Sequence, residues 1–451
     1  MNPSLRAGYA AVDITPSPGV DLTGFIARQG PCEGTLDPLE ARAIVFEDGQ
    51  GNRAALVTCD LIGLGRHLVA RVRRRIAGVT DMAPEAQLFN CSHTHAGPET
   101  GVLTTIGIPN SAYLASLEER LVLVVTQAAQ ELVPVRLAFA SGDVPDGLVI
   151  NRVFRRIGQP EKYDRQLTVV RVDRLSTGGE ETESQAPLAT FVAFACHAVA
   201  LGATEQHASA DYVGTLRRAL EARGTGPVLY INGCGGDVNP ASMDQRGREA
   251  SEALGSGLAE MALPLWRQAT PIAEEVPARA RVAHAQEWVQ LRYQPIRSLE
   301  EAASLLAAGQ EKLAASRPGS PTYRGTRVTD VEYPLRVLRL QYGNETLPVP
   351  EAEVQALRLG PLAVVGLPGE IFSSLGRRIK DHSPLSPQRT FVAGWTNDNI
   401  GYVPDREAYP LGGYEVDSAS RYYGHPAGWA EEVGDALVDS GVRLLRTVSS
   451  E

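Results

Sequence analysis

Short apolar runs alternate with amphipathic helical stretches along most of this chain, and no other feature constrains its fold as strongly. The runs have the length and apolar content of buried strands, whereas the longer stretches between them have helical spacing. Strands are predicted at residues 41–46, 54–59, 86–91, 167–172, 188–196, 228–231, 335–340 and 362–367. Helices are predicted at residues 68–76, 111–132 and 211–223. The alternation predicts an α/β fold in which mixed β-sheets are covered by helices.

A helical insertion interrupts this pattern at about residues 290–330. Residues 299–316 are rich in Ala, Leu and Glu, which predicts a helix. Residues 317–329 are rich in Pro, Gly, Ser and Thr, which predicts a flexible return. The sequence contains neither an internal repeat nor a low-complexity linker, so we expect residues 1–451 to form a single domain.

Composition argues against several classes of function. The 451 residues carry a formal net charge of −10, whereas nucleic-acid binding requires a basic surface, so no nucleic-acid partner is expected. No run approaches the ~18 apolar residues of an integral membrane segment. The first residues lack the features of an export signal, so the protein is expected to be cytoplasmic or to have had its export signal removed. The five cysteines are widely spaced and are expected to be reduced.

Two histidines two residues apart follow one of the predicted strands. If the chain is extended from Gln87 to His95, the side chains of His93 and His95 point to the same side. The Gly97-Pro98 pair then turns the chain. Neutral imidazole is the commonest metal ligand in proteins, so the pair predicts a metal or acid–base site at a strand end. A buried histidine pair bonded to the backbone is the alternative.

Three other predicted strands also end in residues capable of chemistry, which are His197, the segment from Asn232 to Asn239, and Glu370. Open α/β sheets place their sites in crevices beyond strand ends. His93, His197 and Glu370 together form a His/His/carboxylate set, which is the pattern of a catalytic zinc site. Taken singly, His197 is more often a core histidine, and Glu370 equally well caps a helix that begins there.

Residues 233–240 resemble a phosphate-binding loop in their glycine content. They lack the Gly-Lys-Ser/Thr ending of a nucleotide site, so the glycines more plausibly let the backbone approach the site, with Asp237 or Asn239 directed inward. Cys91, Cys196 and Cys234 each lie within two residues of a candidate site residue. A small buried residue is the expected role of each, and a thiolate ligand or nucleophile is the alternative.

The ordered motifs resemble those of the neutral/alkaline (non-lysosomal) ceramidases, the zinc amidases that cleave the N-acyl bond of ceramide. The matching segments lie along nearly the whole chain, at residues 11–16, 92–98, 151–152, 197, 232–240, 368–370 and 401–415. The most specific are Ser92-His93-Thr94-His95-Ala96-Gly97-Pro98 and the pair Tyr402 and Tyr414, twelve residues apart. The resemblance implies an α/β fold like that of the ceramidase catalytic domain.

Carried over residue by residue, the resemblance implies that Zn²⁺ is held by four side chains, which are His93, His197, Glu370 and Tyr402. It also implies that three side chains line the substrate amide, which are His95, Arg152 and Tyr414. His95 would pass a proton to the leaving amine. Arg152 and Tyr414 would stabilise the oxyanion that develops during hydrolysis.

Two departures from the ceramidase pattern bear on the substrate. Asn239 stands where ceramidases carry a serine proposed to take part in catalysis. An asparagine can donate a hydrogen bond there but cannot act as a nucleophile. The chain also ends where the immunoglobulin-like C-terminal domain of the ceramidases would begin, so this domain is expected to be absent. Both departures weaken ceramide as the substrate more than they weaken amide hydrolysis.

The resulting hypothesis is a zinc-dependent hydrolase that cleaves the N-acyl bond of a ceramide-like or other acylated small molecule. An open zinc site can equally attack an ester or a peptide bond. Binding of a lipid or metabolite without turnover is a function of a different class, and Asn239 favours it if the family serine is essential. A nucleotide-dependent transferase rests only on the glycine-rich loop and is the weakest alternative.

Overall fold

The structure, a computed structural model, describes residues 5–103, 105–159, 162–175, 187–271, 281–343 and 349–450. The strands are β1 Arg6–Asp13, β2 Gly34–Thr35, β3 Glu40–Glu47, β4 Arg53–Cys59, β5 Gln87–Cys91, β6 Val133–Asp143, β7 Val149–Asn151, β8 Gln166–Arg174, β9 Ala189–Phe194, β10 His207–Ala208, β11 Val228–Asn232, β12 Val238–Pro240, β13 Thr270–Pro271, β14 Val282–Gln290, β15 Glu351–Leu359, β16 Leu362–Gly366, β17 Glu370–Ile371, β18 Thr390–Ala393 and β19 Tyr402–Val403. The α-helices are α1 Arg66–Thr80, α2 Ser111–Gln130, α3 Arg152–Arg156, α4 Tyr212–Glu221, α5 Arg248–Gln268, α6 Leu299–Ala315, α7 Pro321–Thr326, α8 Tyr333–Tyr342, α9 Ser373–Asp381 and α10 Val433–Ser449. Two π-helical segments lie at Arg327–Glu332 and Tyr414–Ser418.

The larger sheet has the strand order β11-β9-β8-β6-β1-β3-β4-β5, and β13 pairs with β6. It mixes parallel pairs, β4 with β5 and β9 with β11, with antiparallel pairs between them. Its two outermost strands, β5 and β11, meet through Asn90 and Asn232, because the Asn232 amide donates to the Asn90 side-chain oxygen at 2.9 Å. This contact brings the segments that follow β5, β9 and β11 together.

The smaller sheet has the order β14-β15-β16-β18, and helices α9 and α10 pack on it. Isolated β-bridges join its β18 end to the larger sheet, Gly233 to Ala393 and Asn90 to Thr396. Arg73 on α1 also connects the two sheets, because its Nη1 atom pairs with Oε1 of Glu353 on β15 at 2.8 Å and its Nε atom donates to the Gln87 carbonyl oxygen of β5 at 2.9 Å. The ends of strands from both sheets therefore converge on one place.

The helices predicted at residues 68–76, 111–132, 211–223 and 299–316 are found as α1, α2, α4 and α6. The buried face of α1 has helical spacing, with Leu68, Val72 and Ile76 among its buried residues. Asn110 caps α2 by accepting a hydrogen bond from the Tyr113 amide. In the part of the chain that the structure describes, no helix is long and apolar enough to cross a membrane.

The predicted α/β class of mixed sheets and covering helices is confirmed, and most predicted elements are found with small shifts at their ends. The strand predicted at residues 335–340 is wrong, because these residues lie in α8. The buried residues Tyr333 and Val337 of α8 are four apart, and so short an apolar run does not distinguish a strand from a helix. The flexible return predicted at residues 317–329 is also wrong, because Ser320 caps α7 and helical structure continues into α8.

Candidate metal centre and active site

His93 lies just beyond β5 in a backbone conformation that few residues adopt. The strand ends at Cys91, so the extended conformation predicted as far as His95 is wrong. His93 has a φ of +61°, and this left-handed turn directs its ring. The Nδ1 atom of His93 donates to the carbonyl oxygen of Ile62 at 2.7 Å, and the buried ring stacks on Trp395 with 4.4 Å between centroids. The Nε2 atom faces the interior of the site, where it lies 3.6 Å from Oε1 of Glu370.

His95 still meets His93, as the sequence predicts, with 3.1 Å between their Nε2 atoms. Phe25 packs edge-on against the His95 ring at 4.9 Å between centroids. Gly24 has a φ of +95°, and a Cβ atom there would lie 2.5 Å from the ring, so only glycine fits at this position. The buried Nδ1 atom of His95 has no hydrogen-bond partner among the described residues. Burial, together with His93 and His197, lowers the pKa of His95, so its ring is neutral.

His197 enters the same site from the segment after β9. Its Nδ1 atom donates to the carbonyl oxygen of Gly235 at 2.7 Å. Its Nε2 atom lies 2.9 Å from Oε2 of Glu370 and 3.3 Å from the hydroxyl oxygen of Tyr402. His197 is therefore buried and bonded to the backbone, as a core histidine is, and also presents a nitrogen to the site.

Glu370 and Tyr402 face each other because β17 and β19 pair in parallel with these two residues in register. Oε1 of Glu370 lies 3.6 Å from Nε2 of His93. The alternative that Glu370 caps a helix is wrong, since α9 begins at Ser373 and its N-cap is Phe372. The four residues that the family resemblance assigns to zinc thus lie together.

The chemistry of these groups fits a cation. The Nδ1 atoms of His93 and His197 both face carbonyl oxygens, which can only accept, so each Nε2 atom carries a lone pair. Burial lowers the pKa of both rings to about 3, with Arg152 also lowering that of His197, which keeps them neutral at pH 7. Two nitrogen lone pairs therefore face the oxygens of buried Glu370, and a divalent cation would satisfy all of them. Independently of any family, the ring nitrogens of His93, His95 and His197 lie within 4.8 Å of one another and can hold a metal ion.

Arg152 lies beside this group at the start of α3. Its Nη2 atom donates to the carbonyl oxygen of Gly236 at 2.8 Å, and Nη1 donates to Oδ1 of Asn239 at 3.3 Å. Its Nε atom lies 2.7 Å from Oε1 of Glu415. The guanidinium carbon is 5.2 Å from the centre of the Tyr402 ring. These contacts fix a positive charge next to the candidate metal ligands.

Tyr414 forms the outer edge of the site. Tyr414 is 42% exposed to solvent, and its ring centroid lies 5.5 Å from that of Tyr402. The Arg152 guanidinium carbon lies 6.0 Å from the Tyr414 ring centre. The sequence-predicted residues are thus all brought together, with the candidate metal ligands buried and Tyr414 where solvent and a ligand can reach it.

Three functional neighbours were not predicted from the sequence. The Tyr423 hydroxyl donates to Oε1 of Glu370, Trp395 stacks on His93, and Glu415 pairs with Arg152. Trp395 is fully buried and has a φ of +44°. Glu415 directly follows a predicted site tyrosine, and this adjacency is the one sequence signal that could have identified any of the three.

Asp237 of the glycine-rich loop and the five cysteines are buried. Of the two alternatives for the inward-pointing residue, Asn239 is the one that contacts Arg152. Asp237 accepts hydrogen bonds from the amide and hydroxyl of Ser373 at 2.7 and 2.9 Å and from the side chain of Asn151 at 2.6 Å. The five cysteines are buried and unpaired, as predicted. Burial raises the pKa of Cys91, Cys196 and Cys234, which disfavours a thiolate ligand or nucleophile.

Sequence comparison relates the chain to ceramidases. It is 24% identical over 266 residues to neutral ceramidase A of Dictyostelium discoideum and 26% identical over 233 residues to neutral ceramidase 2 of Arabidopsis thaliana. These alignments cover 52% and 48% of this chain but only 36% and 29% of those relatives. A longer alignment, with neutral ceramidase of Drosophila melanogaster, is 21% identical and covers 93% of this chain and 72% of the relative. No protein-family model matches the chain.

Comparison of folds also relates the chain to ceramidases, and the superpositions cover 98% and 100% of this chain. A ceramidase solved as a complex with C2 superposes with a TM-score of 0.74 at 19% identity, covering 98% of this chain and 75% of that structure. Neutral ceramidase from Pseudomonas aeruginosa gives a TM-score of 0.72 at 18% identity, covering 100% and 76%. The resemblance predicted from the motifs is confirmed: the chain is similar in sequence to proteins named neutral ceramidase and has the fold of solved ceramidase structures.

Proposed function

We propose that this protein is a zinc-dependent hydrolase that cleaves the N-acyl amide bond of a ceramide-like or other acylated small molecule. One observation carries the proposal: the Nε2 atoms of His93 and His197 and the carboxylate of Glu370 converge at 2.9 and 3.6 Å. Two imidazoles and a carboxylate are the ligand set of many catalytic zinc sites. The relatives named neutral ceramidase support amide hydrolysis as the reaction.

The donor set favours zinc over the harder divalent cations. Mg²⁺ and Ca²⁺ prefer oxygen ligands, whereas imidazole nitrogens suit zinc. Tyr402 is the fourth proposed ligand, since its hydroxyl oxygen lies 3.3 Å from Nε2 of His197. Burial raises the pKa of Tyr402, so its phenol keeps its proton unless a cation is bound beside it. When bound, zinc supplies a Lewis acid that polarises a carbonyl and lowers the pKa of water.

His95 is the proposed proton carrier. It lies 3.1 Å from His93 and retains a ring nitrogen without a partner among the described residues. A neutral imidazole in this position can accept a proton and then donate it to the leaving amine. Phe25 and Gly24 enclose the ring and hold its orientation.

Arg152 and Tyr414 are the proposed stabilisers of developing negative charge. Arg152 is held by Glu415 and the Gly236 carbonyl, so its guanidinium needs no rearrangement when charge develops nearby. Tyr414 is partly exposed, and its ring centre lies 6.0 Å from the guanidinium carbon of Arg152. Asn239 hydrogen bonds to Arg152, which supports a positioning role rather than the nucleophilic role that a serine could have.

Turnover of an N-acylated amine tests the proposal. The purified chain should hydrolyse N-acylsphingosine or another N-acyl amine, and should lose this activity when zinc is chelated and regain it when zinc is restored. His197→Ala should abolish turnover in a folded protein, whereas His284→Ala, at an exposed histidine on β14, should not. An ester analogue included in the same panel distinguishes an amidase from an esterase.

A zinc-loaded, folded protein that turns over no amide or ester would contradict the proposal. If such a protein retains an acylated amine tightly, binding without catalysis becomes the function, as the asparagine at position 239 allows.

A further inference from the structure

Arg246 is a solvent-accessible arginine beside the candidate site. Among the residues that the structure describes, its guanidinium has no hydrogen bond or ion pair. The guanidinium carbon lies 5.5 Å from the centre of the Phe25 ring. The stem of the side chain lies against the backbone at Gly202, where an added Cβ atom would come within 3.0 Å of it. Arg246 is thus placed by packing and has an unpaired charge.

The contacts of Phe25 place Arg246 on the side of the site where His95 lies. The same Phe25 ring packs against His95 at 4.9 Å between centroids. A second arginine, Arg28, lies 5.6 Å from the Phe25 ring centre. Arg28 is buried and donates to the carbonyl oxygens of Glu205 and His95, so it has no carboxylate partner in its hydrogen bonds. The positive charges of Arg28 and Arg246 therefore both lie beside the Phe25 ring.

Other charged side chains lie near Arg246. Burial and the positive charge of Arg152 lower the pKa of Arg246. Asp211 and Asp244 raise the pKa of Arg246, but neither forms an ion pair with it. Arg28 and Arg246 therefore lie beside Phe25, and neither guanidinium is hydrogen-bonded to a carboxylate among the described residues. Positive charges in such a position attract an anion.

We propose that Arg246 binds a carboxylate on the amine half of the substrate, so that the substrates are N-acyl amino acids and related acylated amines that carry an anionic group next to the amide. This inference rests on the proposed amide hydrolysis, because His95 protonates the leaving amine and Arg246 lies on the His95 side. A guanidinium without a partner gains charge-assisted hydrogen bonds when a carboxylate binds. A neutral head group would leave Arg246 without a partner.

Binding of a non-cleavable pair of ligands tests the inference separately from catalysis. The probes are the analogue of N-decanoylglycine in which a methylene group replaces the amide nitrogen, and the primary amide of that analogue. Isothermal titration calorimetry with the purified full chain should show the acid binding between about 10-fold and 100-fold more tightly than its amide. Arg246→Gln should remove this preference and leave the affinity for the primary amide unchanged.

Arg248→Gln is the matched control, because Arg248 lies two residues away on the same surface but is already paired with Glu205 at 2.7 Å. It should retain the preference for the acid. Equal affinity of the wild type for the two probes, or an equal loss of both affinities in Arg246→Gln, would overturn the inference. Hydrolysis of N-decanoylglycine and of the other amides and esters is measured in parallel. A retained preference for the acid without turnover of any of them contradicts the proposed hydrolase activity, and turnover without the preference contradicts the role of Arg246.

Discussion

Nε2 of His197 lies 2.9 Å from Oε2 of Glu370. Both atoms are hydrogen-bond acceptors when the imidazole is neutral and the carboxylate is ionised, which are the states that bind a metal. The other ring nitrogen of His197 donates to a backbone carbonyl, so no proton remains for Nε2 in the neutral ring. A buried close approach of two acceptors is unfavourable unless a cation or a proton lies between them. This relationship is the physical basis of the proposed metal centre.

Tyr423 should tune metal affinity although the sequence does not identify it. Its hydroxyl donates to Oε1 of Glu370, so it orients the carboxylate toward the histidines. Tyr423→Phe should lower zinc affinity by about 10-fold to 100-fold, the usual effect of removing a partner of a metal ligand. Competition with a chelator measures this change. Tyr342→Phe, at a tyrosine that is 76% exposed, is the control, and equal affinities in the two variants would exclude the role of Tyr423.

Asn239 should act by positioning Arg152. Its Oδ1 accepts a hydrogen bond from Nη1 of Arg152 at 3.3 Å. Asn239→Ala should lower kcat/KM by about 10-fold, which corresponds to loss of one hydrogen bond to a charged group. Asn239→Ser keeps a polar group and should retain more activity than the alanine variant. An Asn239→Ala enzyme as active as the wild type would show that Arg152 does not depend on this contact.

Asp237 should stabilise the fold near the site. Its carboxylate accepts hydrogen bonds from the amide and hydroxyl of Ser373 and from the side chain of Asn151, all buried. Asp237→Ala leaves these donors without a partner and should lower the free energy of unfolding by about 3 kcal/mol or more. Urea denaturation measures the loss. The exposed Asp244 provides the control variant Asp244→Ala, which should differ little from the wild type.

The pH dependence of stability should reveal the buried histidines in the metal-free protein. Burial lowers the pKa of His93 from 6.5 to about 3, so between these values the folded chain binds fewer protons than the unfolded chain. The contribution of His93 to the free energy of unfolding is therefore full above about pH 6.5 and is lost as the pH falls toward the pKa of His93 in the folded protein. From about pH 6.5 to pH 5 the wild type should lose about 2 kcal/mol more than His93→Gln.

Denaturation of chelator-treated protein at the two pH values tests this difference. His67→Gln, at an exposed histidine, should behave as the wild type does. Parallel stability curves for the wild type and His93→Gln would show that His93 is not held neutral by burial.

The sequence predicts the composition of the site better than its geometry. Strand-end positions identify His93, His197 and Glu370, because apolar runs are visible in the sequence and open sheets carry their sites beyond strand ends. The resemblance to ceramidases adds Tyr402, Arg152 and Tyr414, which no spacing rule identifies. The conformation of His93 was not predictable, since its φ of +61° is set by tertiary contacts with Ile62 and Trp395.

Residues that act through long-range contacts lie beyond sequence reasoning of this kind. Tyr423 reaches Glu370 across 53 positions of the chain, and Asn90 reaches Asn232 across 142. No local pattern encodes such a pair. The prediction of a strand at residues 335–340 was wrong for a related reason: the burial of α8 depends on its contact with α6, and a short apolar run alone fits either structure.

Metal content tests the central claim most directly. Mass spectrometry of the purified protein should find about one zinc ion per chain, as expected for a single site with two imidazoles and a carboxylate. The double variant His93→Ala/His197→Ala should contain none while remaining folded, and His284→Ala should contain as much as the wild type. A folded wild-type protein that binds no zinc, even when zinc is supplied, would contradict the account.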